Sequence, residues 1–85
     1  MSNKQPGYHI AEIPKGELGK ISKIQEELDE LKDAIAQGSD IMAAVEMSDL
    51  YGALEAFAET QGYSMDDLRK FSFITKRAFI NGRRK

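Results

Sequence analysis

Two pairs of acidic residues on either side of a glycine turn constrain the fold of this chain more than any other feature. Glu27 and Glu30 precede Gly38, and Glu46 and Asp49 follow it. Within each pair the residues are three positions apart, and residues at that spacing share one face of a helix. If both segments are helices that fold back antiparallel at Gly38, Glu30 lies level with Glu46, about 12 Å from the turn. Glu27 then lies level with Asp49, about 16 Å from the turn.

Four carboxylates that converge at one level between two helices have a physical consequence. Like charges at close range raise one another's pKa values, or they recruit a cation. A set of oxygen ligands that leaves room for water and phosphate suits Mg²⁺. The pattern therefore predicts a divalent-metal site, with Mg²⁺ as the expected ion and Mn²⁺ as an alternative.

Length and composition restrict the class of protein. The chain has 85 residues, a formal net charge of -2 and no Cys. A chain of this size is one domain and buries only about two thirds of its unfolded surface. Without disulfides, oligomerisation is the expected source of additional core. The nearly balanced charge argues against nucleic-acid binding, although the segment from 76 to 85 is basic.

The sequence also bears on location. It shows neither a signal-peptide pattern nor an apolar run approaching the ~20 residues of a membrane span. The absence of Cys fits a reducing compartment, so we expect a cytoplasmic protein without membrane contact.

Periodicity predicts three helices behind an extended arm over residues 1–15, for which a partly ordered tail is the alternative. The first helix covers about 16–37, the second about 40–60 with a cap at Ser39 or Asp40, and the third runs from Ser64 to Gly82. We expect the single histidine, His9, to be a surface or packing residue rather than a metal ligand.

The first helix carries an apolar seam at positions three and four apart. Its members are Ile21, Ile24, Leu28, Leu31 and Ile35. Relative to this seam, Glu27 falls beside the buried face and Glu26 points away from it. Taken alone, the acids of this helix are consistent with an ordinary solvated face.

The second helix is apolar nearly all round, which predicts that it is buried. Glu46 and Asp49 fall among its apolar positions and not on its narrow polar stripe. Acidic side chains are almost never buried unless they are paired or bind a metal. Lys20 and Lys23 are the candidates for ordinary ion pairs, and a metal ion is the other explanation.

The pattern Glu26-Glu27-x-x-Glu30, followed by Glu46-x-x-Asp49, resembles the EExxE…ExxD signature of the MazG-like all-α NTP pyrophosphohydrolases. The run from 23 to 31 looks like the first motif of that family, and the resemblance covers about residues 16–82. It is closest in size to single-domain forms from bacteria and their phages. The resemblance implies an all-α helical domain over 16–85, made of an antiparallel helical hairpin and a third helix. It also implies that two subunits form a dimer with a four-helix bundle at its centre, and that such dimers often pair into tetramers.

The resemblance also implies a reaction, the hydrolysis of a nucleoside triphosphate to its monophosphate and pyrophosphate. The metal ligands that it implies are Glu27, Glu30, Glu46 and Asp49. Glu26 and Glu27 would be the catalytic acids, with Glu26 binding a second metal ion or orienting the attacking water. The candidates for binding substrate phosphates are Lys23, Lys76, Asn81 and Arg83.

The sequence is also consistent with two other functions. A phosphoribosyl-ATP pyrophosphohydrolase shares the fold and the acidic motif. A non-enzymatic helical adaptor would explain the small size, the apolar seam and an apolar patch at Phe73 and Ile80.

Overall fold

The structure is a computed structural model that describes residues 9–82, and within that range it is all-helical with no strand. Helix α1 comprises Ile21–Ala36, α2 comprises Asp40–Thr60 and α3 comprises Met65–Ile80. The predicted all-α class is confirmed for these residues, whereas the dimeric four-helix bundle stays a prediction. Residues 1–8 of the predicted arm lie outside the described range.

Local sequence signals explain where the helices begin and end. The Ser39 hydroxyl accepts a hydrogen bond from the Met42 N–H and caps α2. Ser64 and Asp67 form a reciprocal capping box at the start of α3. Gly38 occupies the turn between α1 and α2 with a φ of +74°, a left-handed conformation that glycine adopts without steric cost.

Helix α1 begins later than predicted because residues 17–20 form a separate turn before it, in which the Lys20 N–H bonds to the Glu17 carbonyl. Immediately before this turn, Gly16 approaches the first turn of α1 so closely that an added Cβ atom would lie 2.1 Å from the Ser22 carbonyl oxygen. The turn reverses the chain, so residues 9–16 lie antiparallel along α1. Their polar contacts reach Asp33 near its C-terminus and Glu26 near its N-terminus. We refer to residues 9–16 as the strap.

The α1–α2 hairpin is the main packing unit of the described residues. Its buried apolar residues are small, namely Ala34, Ala53 and Ala58. The buried polar side chains are all acidic, namely Glu26, Glu27, Asp33 and Glu46. The expectation that α1 buries its apolar seam is therefore wrong for the single chain, where Ile21 is 59 % exposed and Ile35 is 64 % exposed. The face of α1 that packs is the acidic one.

Helices α2 and α3 leave much apolar surface uncovered. The prediction that α2 is buried nearly all round is wrong for the single chain, because Ile41, Met47 and Tyr51 are all exposed. Helix α3 has no buried residue and lies apart from α2 across an open groove of about 430 Å³. Among residues 9–82, no helix is long and apolar enough to span a membrane.

Candidate metal centre

The two acidic pairs meet between α1 and α2. One carboxylate oxygen from each of Glu27, Glu30, Glu46 and Asp49 can be chosen so that all four lie within 4.8 Å of one another. We refer to these four residues as the tetrad. The structure thus brings together the four acids that the sequence singled out, across the antiparallel hairpin that their spacing requires.

The solvent exposure of the four tetrad residues increases from the protein interior to its surface. Glu46 is 1 % exposed and is the largest fully buried side chain of the described residues, and Glu27 is 4 % exposed. Glu30 is half-buried and Asp49 is exposed. The expected burial of Asp49 is therefore wrong for the single chain, because no part of the described chain covers that side of α2. The tetrad opens to solvent on the side of Asp49.

Mutual repulsion is strong at the centre of the tetrad. Burial raises the pKa of Glu30, and its proximity to Glu46 and Glu27 raises that pKa further, to about 8. A protonated Glu30 can donate a hydrogen bond to one of these neighbours. Oε1 of Glu27 is fully buried and, within residues 9–82, accepts no hydrogen bond from a conventional donor. Buried oxygens in this situation need either a proton or a cation.

Of the two lysines predicted as partners for the buried acids, only Lys23 contacts the tetrad, and it does so through Glu27. Lys23 Nζ lies 3.1 Å from both Glu26 Oε1 and Glu27 Oε2, and these contacts hold the pKa of Lys23 above its ordinary value although its burial acts in the opposite direction. Lys20 pairs with Glu17 at the surface. Within the described chain, neither lysine forms an ion pair with Glu46 or Asp49, so Lys20 and Lys23 are not the residues that neutralise these two acids.

Glu26 lies outside the tetrad and has a different environment from the one predicted. The expectation that it points away from the packed surface is wrong, since it is only 3 % exposed. Its Oε1 accepts hydrogen bonds from the Gly16 N–H at 2.8 Å and from Lys23 Nζ at 3.1 Å, while Oε2 lies 3.5 Å from Lys15 Nζ. Burial raises its pKa, but these donors outweigh burial and the pKa is lowered overall. Glu26 is thus an ionised acid that fastens the strap to α1.

Two site residues were missed at the sequence level, His9 and Asp33. His9 Nδ1 lies 2.9 Å from Asp33 Oδ2, and its Nε2 lies 3.1 Å from Glu46 Oε2. His9 is thus not a surface residue, because the strap inserts its imidazole among the acids, and the expectation that it packs without binding a metal stays a prediction. Asp33 continues the stripe of Glu26 and Glu30 at helical spacing, which was an available signal. The position of His9 had no such signal, since it depends on the path of the strap.

The predicted phosphate-binding residues differ in their placement. Lys23 lies at the tetrad through its contact with Glu27. Lys76 is exposed on α3 and Asn81 is the C-cap residue of that helix. Within residues 9–82, neither side chain forms an ion pair or hydrogen bond with the acids, because α3 does not pack over this part of the hairpin. Arg83 lies outside the described residues.

The donor set of the tetrad fits a hard divalent cation. Opposite oxygens around an octahedral Mg²⁺ are about 4 Å apart, so carboxylate oxygens within 4.8 Å of one another need only small side-chain adjustments to share an ion. The uncompensated Glu27 oxygen and the raised pKa of Glu30 are the electrostatic signs that a positive charge would be favourable there.

Comparisons with known proteins identify no relative. No family, no curated protein and no solved structure matches the chain.

Proposed function

We propose that this protein is a MazG-like, Mg²⁺-dependent nucleoside triphosphate pyrophosphohydrolase. The observation that carries the proposal is the tetrad, in which four carboxylates meet and the most deeply buried side chain is Glu46. Burying several acids together is costly unless a cation compensates for their charge. A metal site of this kind, which is open on one side, is suited to the phosphates of a nucleotide.

The proposed chemistry needs little covalent participation by the protein. Phosphoryl-group chemistry depends mainly on positioning and on neutralisation of charge. A bound Mg²⁺ would polarise the phosphates and lower the pKa of the attacking water. Glu27 would hold this ion through Oε1, which accepts no conventional hydrogen bond in the described chain, while Lys23 holds its Oε2, and so it would position the attacking water. Glu26 supports this arrangement by holding Lys23 and the strap.

The route of substrate entry follows from the gradient of exposure. The strap covers the inner end of the cluster, where His9 contacts Glu46. Asp49 lies at the solvent-exposed end. We therefore propose that the triphosphate enters over Asp49, with the nucleoside directed away from the strap.

We further propose that two copies assemble through a four-helix bundle, as the family resemblance implies, with tetramers as pairs of such dimers. The support is the uncovered apolar seam of α1 together with the exposed apolar side chains of α2. Exposed apolar side chains that cluster on one face of a helix commonly mark a contact with another protein. A second hairpin would cover these faces and add the core that a chain of 85 residues lacks.

The decisive experiment is a product assay. The full chain is incubated with Mg²⁺ and each common ribo- and deoxyribonucleoside triphosphate, and the products are separated by anion-exchange chromatography. We expect the monophosphate and pyrophosphate. Release of orthophosphate, or no turnover of any nucleotide, would contradict the proposal.

A matched pair of variants tests the assignment of the tetrad. Asp49→Ala should abolish hydrolysis while leaving the fold intact, because Asp49 is exposed and contributes no packing in the single chain. Asp40→Ala, at the exposed start of the same helix, should keep full activity. An active Asp49→Ala variant would show that the metal assignment is wrong.

A non-enzymatic adaptor is the second candidate, and the observation that favours it is the uncovered apolar surface of α3. Phe73 is 58 % exposed and Ile80 is 77 % exposed. An adaptor has no need of a cation, so its melting temperature should not respond to Mg²⁺. A rise in melting temperature on addition of millimolar Mg²⁺ would count against this candidate.

A further inference from the structure

The strap places the single histidine of the chain between acids of both helices of the hairpin. His9 Nδ1 lies 2.9 Å from Asp33 Oδ2 on α1. Its other nitrogen, Nε2, lies 3.1 Å from Glu46 Oε2 on α2 and 3.9 Å from Glu30 Oε1 on α1. The side chain of His9 is only 9 % exposed. An imidazole that the strap holds this deeply among acids has a more specific role than covering the surface.

Asp33 fixes the orientation of that imidazole. Besides contacting His9, its carboxylate accepts hydrogen bonds from the Ile10 N–H, the Ala11 N–H and the Gln37 side-chain amide, at 3.0, 3.2 and 2.8 Å. Both carboxylate oxygens therefore accept a backbone N–H, Oδ2 from Ile10 and Oδ1 from Ala11. A carboxylate held by donors on both oxygens acts as the acceptor towards His9, so we assign the proton in the His9–Asp33 contact to Nδ1. The other nitrogen, Nε2, is directed at Glu46 and Glu30.

This arrangement is the one that metal-binding histidines commonly adopt. A histidine ligand usually donates its second ring N–H to a carboxylate, which fixes the ring and increases the basicity of the coordinating nitrogen. One ligand atom from each of His9, Glu30 and Glu46 can be chosen so that all three lie within 4.8 Å of one another. The buried Glu27 oxygen that accepts no conventional hydrogen bond belongs to the adjoining tetrad and independently indicates a demand for positive charge.

We propose that His9, Glu30 and Glu46 form a mixed nitrogen–oxygen position for a first-row transition-metal ion such as Zn²⁺, Mn²⁺ or Co²⁺. His9 coordinates through Nε2, and Asp33 is the positioning residue that orients it. Imidazole with carboxylates suits these ions, whereas Mg²⁺ prefers oxygen ligands alone. This metal position shares two ligands, Glu30 and Glu46, with the tetrad. It rests on the proposed function only through these two shared residues.

The single histidine makes a direct test on the native chain straightforward. The full chain is produced without a polyhistidine tag, labelled with ¹⁵N-histidine and titrated with Zn²⁺ alone. We expect the Nε2 resonance to move on coordination while Nδ1 keeps its proton. Titration with Mg²⁺ should not produce the coordination shift. An Nε2 resonance that does not respond to Zn²⁺ would overturn the proposal, and this result needs no variant to fold.

Variants supply a second test, with Co²⁺ affinity measured by calorimetry. His9→Gln should weaken Co²⁺ binding by at least about 10-fold, and Asp33→Asn by about 10- to 100-fold, as the loss of an orienting partner typically does. The Mg²⁺ affinity of His9→Gln should change little, because the tetrad remains complete. Glu12→Gln, an exposed substitution in the same strap, should bind both ions as the native chain does. Equal Co²⁺ affinity for His9→Gln and the native chain would overturn the proposal.

These outcomes are separable from those of the hydrolysis assay. If the Zn²⁺-dependent shift of Nε2 occurs but no nucleotide is hydrolysed, the metal position stands and the proposed function fails. If nucleotides are hydrolysed with Mg²⁺ but the Nε2 resonance is unmoved by Zn²⁺, the function stands and this metal position does not.

Discussion

Individual side chains show how this molecule balances its buried charge. Asp33 and Glu30 are both acids on the same face of α1, yet their pKa values are displaced in opposite directions. Asp33 is surrounded by donors from the strap, so its charged form is stabilised. Glu30 is partly buried and faces Glu46 and Glu27, so its neutral form is stabilised. The contrast separates an acid with a structural role from an acid that needs a proton or a cation.

Replacing Asp33 should destabilise the protein. Asp33→Asn removes the charge that accepts the strap hydrogen bonds, and we expect a loss of roughly 1–3 kcal/mol in the free energy of unfolding at pH 7. Because the pKa of Asp33 is lowered in the folded state, its contribution is present above about pH 4 and is lost as the pH falls towards 2. Urea denaturation measures both effects.

The control for this substitution lies on the same helix. Asp29 accepts one exposed hydrogen bond from Gln25, so Asp29→Asn should change the unfolding free energy by no more than about 0.5 kcal/mol. If both substitutions have the same effect, the strap contacts do not stabilise the fold.

Glu30 should make the metal-free protein less stable as the pH rises. Its pKa is raised to about 8 from an ordinary 4.5, so between these values the folded state retains a proton that the unfolded chain releases. In EDTA we expect the free energy of unfolding to fall by roughly 1–3 kcal/mol from pH 5 to pH 9. This is less than the pKa shift of a fully buried carboxyl would give, because Glu30 is partly open to solvent. Mg²⁺ should restore most of the loss.

Glu30→Gln is the control for this pH effect. It removes the titrating group and should flatten the dependence of stability on pH in EDTA. A slope that is unchanged in Glu30→Gln would mean that the proton is held elsewhere in the cluster.

At the scale of elements, the strap and α1 form one unit although only α1 is regular. The strap contributes His9, the backbone donors to Asp33 and the Gly16 N–H that binds Glu26. It can lie this close because Gly16 has no side chain to meet the backbone of α1. Burial of the acidic face of α1 therefore depends on an irregular segment as much as on α2.

Gly16→Ala should detach the strap. The added Cβ would lie 2.1 Å from the Ser22 carbonyl oxygen, a contact that only a backbone movement can relieve. We expect a destabilisation of about 1–3 kcal/mol and faster amide hydrogen exchange at Ile10, Ala11 and residue 16. Exchange followed by NMR is the measurement, and unchanged protection at Ile10 and Ala11 would show that the strap tolerates a side chain there.

Gly52 provides the matched control, because it lies within α2 and an added Cβ would meet nothing within 4 Å. Gly52→Ala should leave the strap protected and should stabilise the chain by up to about 1 kcal/mol through its higher helix propensity.

At the scale of the whole molecule, the single chain buries acidic side chains and leaves large apolar side chains exposed to solvent. The hairpin buries acids and alanines, while many leucine, isoleucine and aromatic side chains of the described residues are exposed. Helix α3 adds little to this core. Such a distribution is expected of a subunit whose apolar faces are covered by a second copy.

Ile35→Lys should weaken self-association without unfolding the chain. Ile35 is 64 % exposed, so the substitution removes little intrachain packing but places a charge in the exposed seam of α1. We expect dimers at micromolar concentration for the native chain and monomers for Ile35→Lys in sedimentation equilibrium. Glu55→Lys, on the polar stripe of α2, should remain dimeric. A monomeric native chain would refute the bundle proposal.

The sequence by itself determined that there are three helices, that the second is capped at Ser39 or Asp40 and the third at Ser64, and that the four tetrad acids meet. These features depend on spacing along the chain and on local hydrogen bonds, which periodicity and turn residues encode directly. Only the tertiary structure decided that α1 packs through its acidic face, that Glu26 is buried and that His9 joins the acids. Those outcomes follow from the path of the strap, because an irregular segment is fixed by its contacts and not by any periodic pattern. The exposure of Asp49 was also a tertiary outcome, since an apolar helix is buried only where another element is present to cover it.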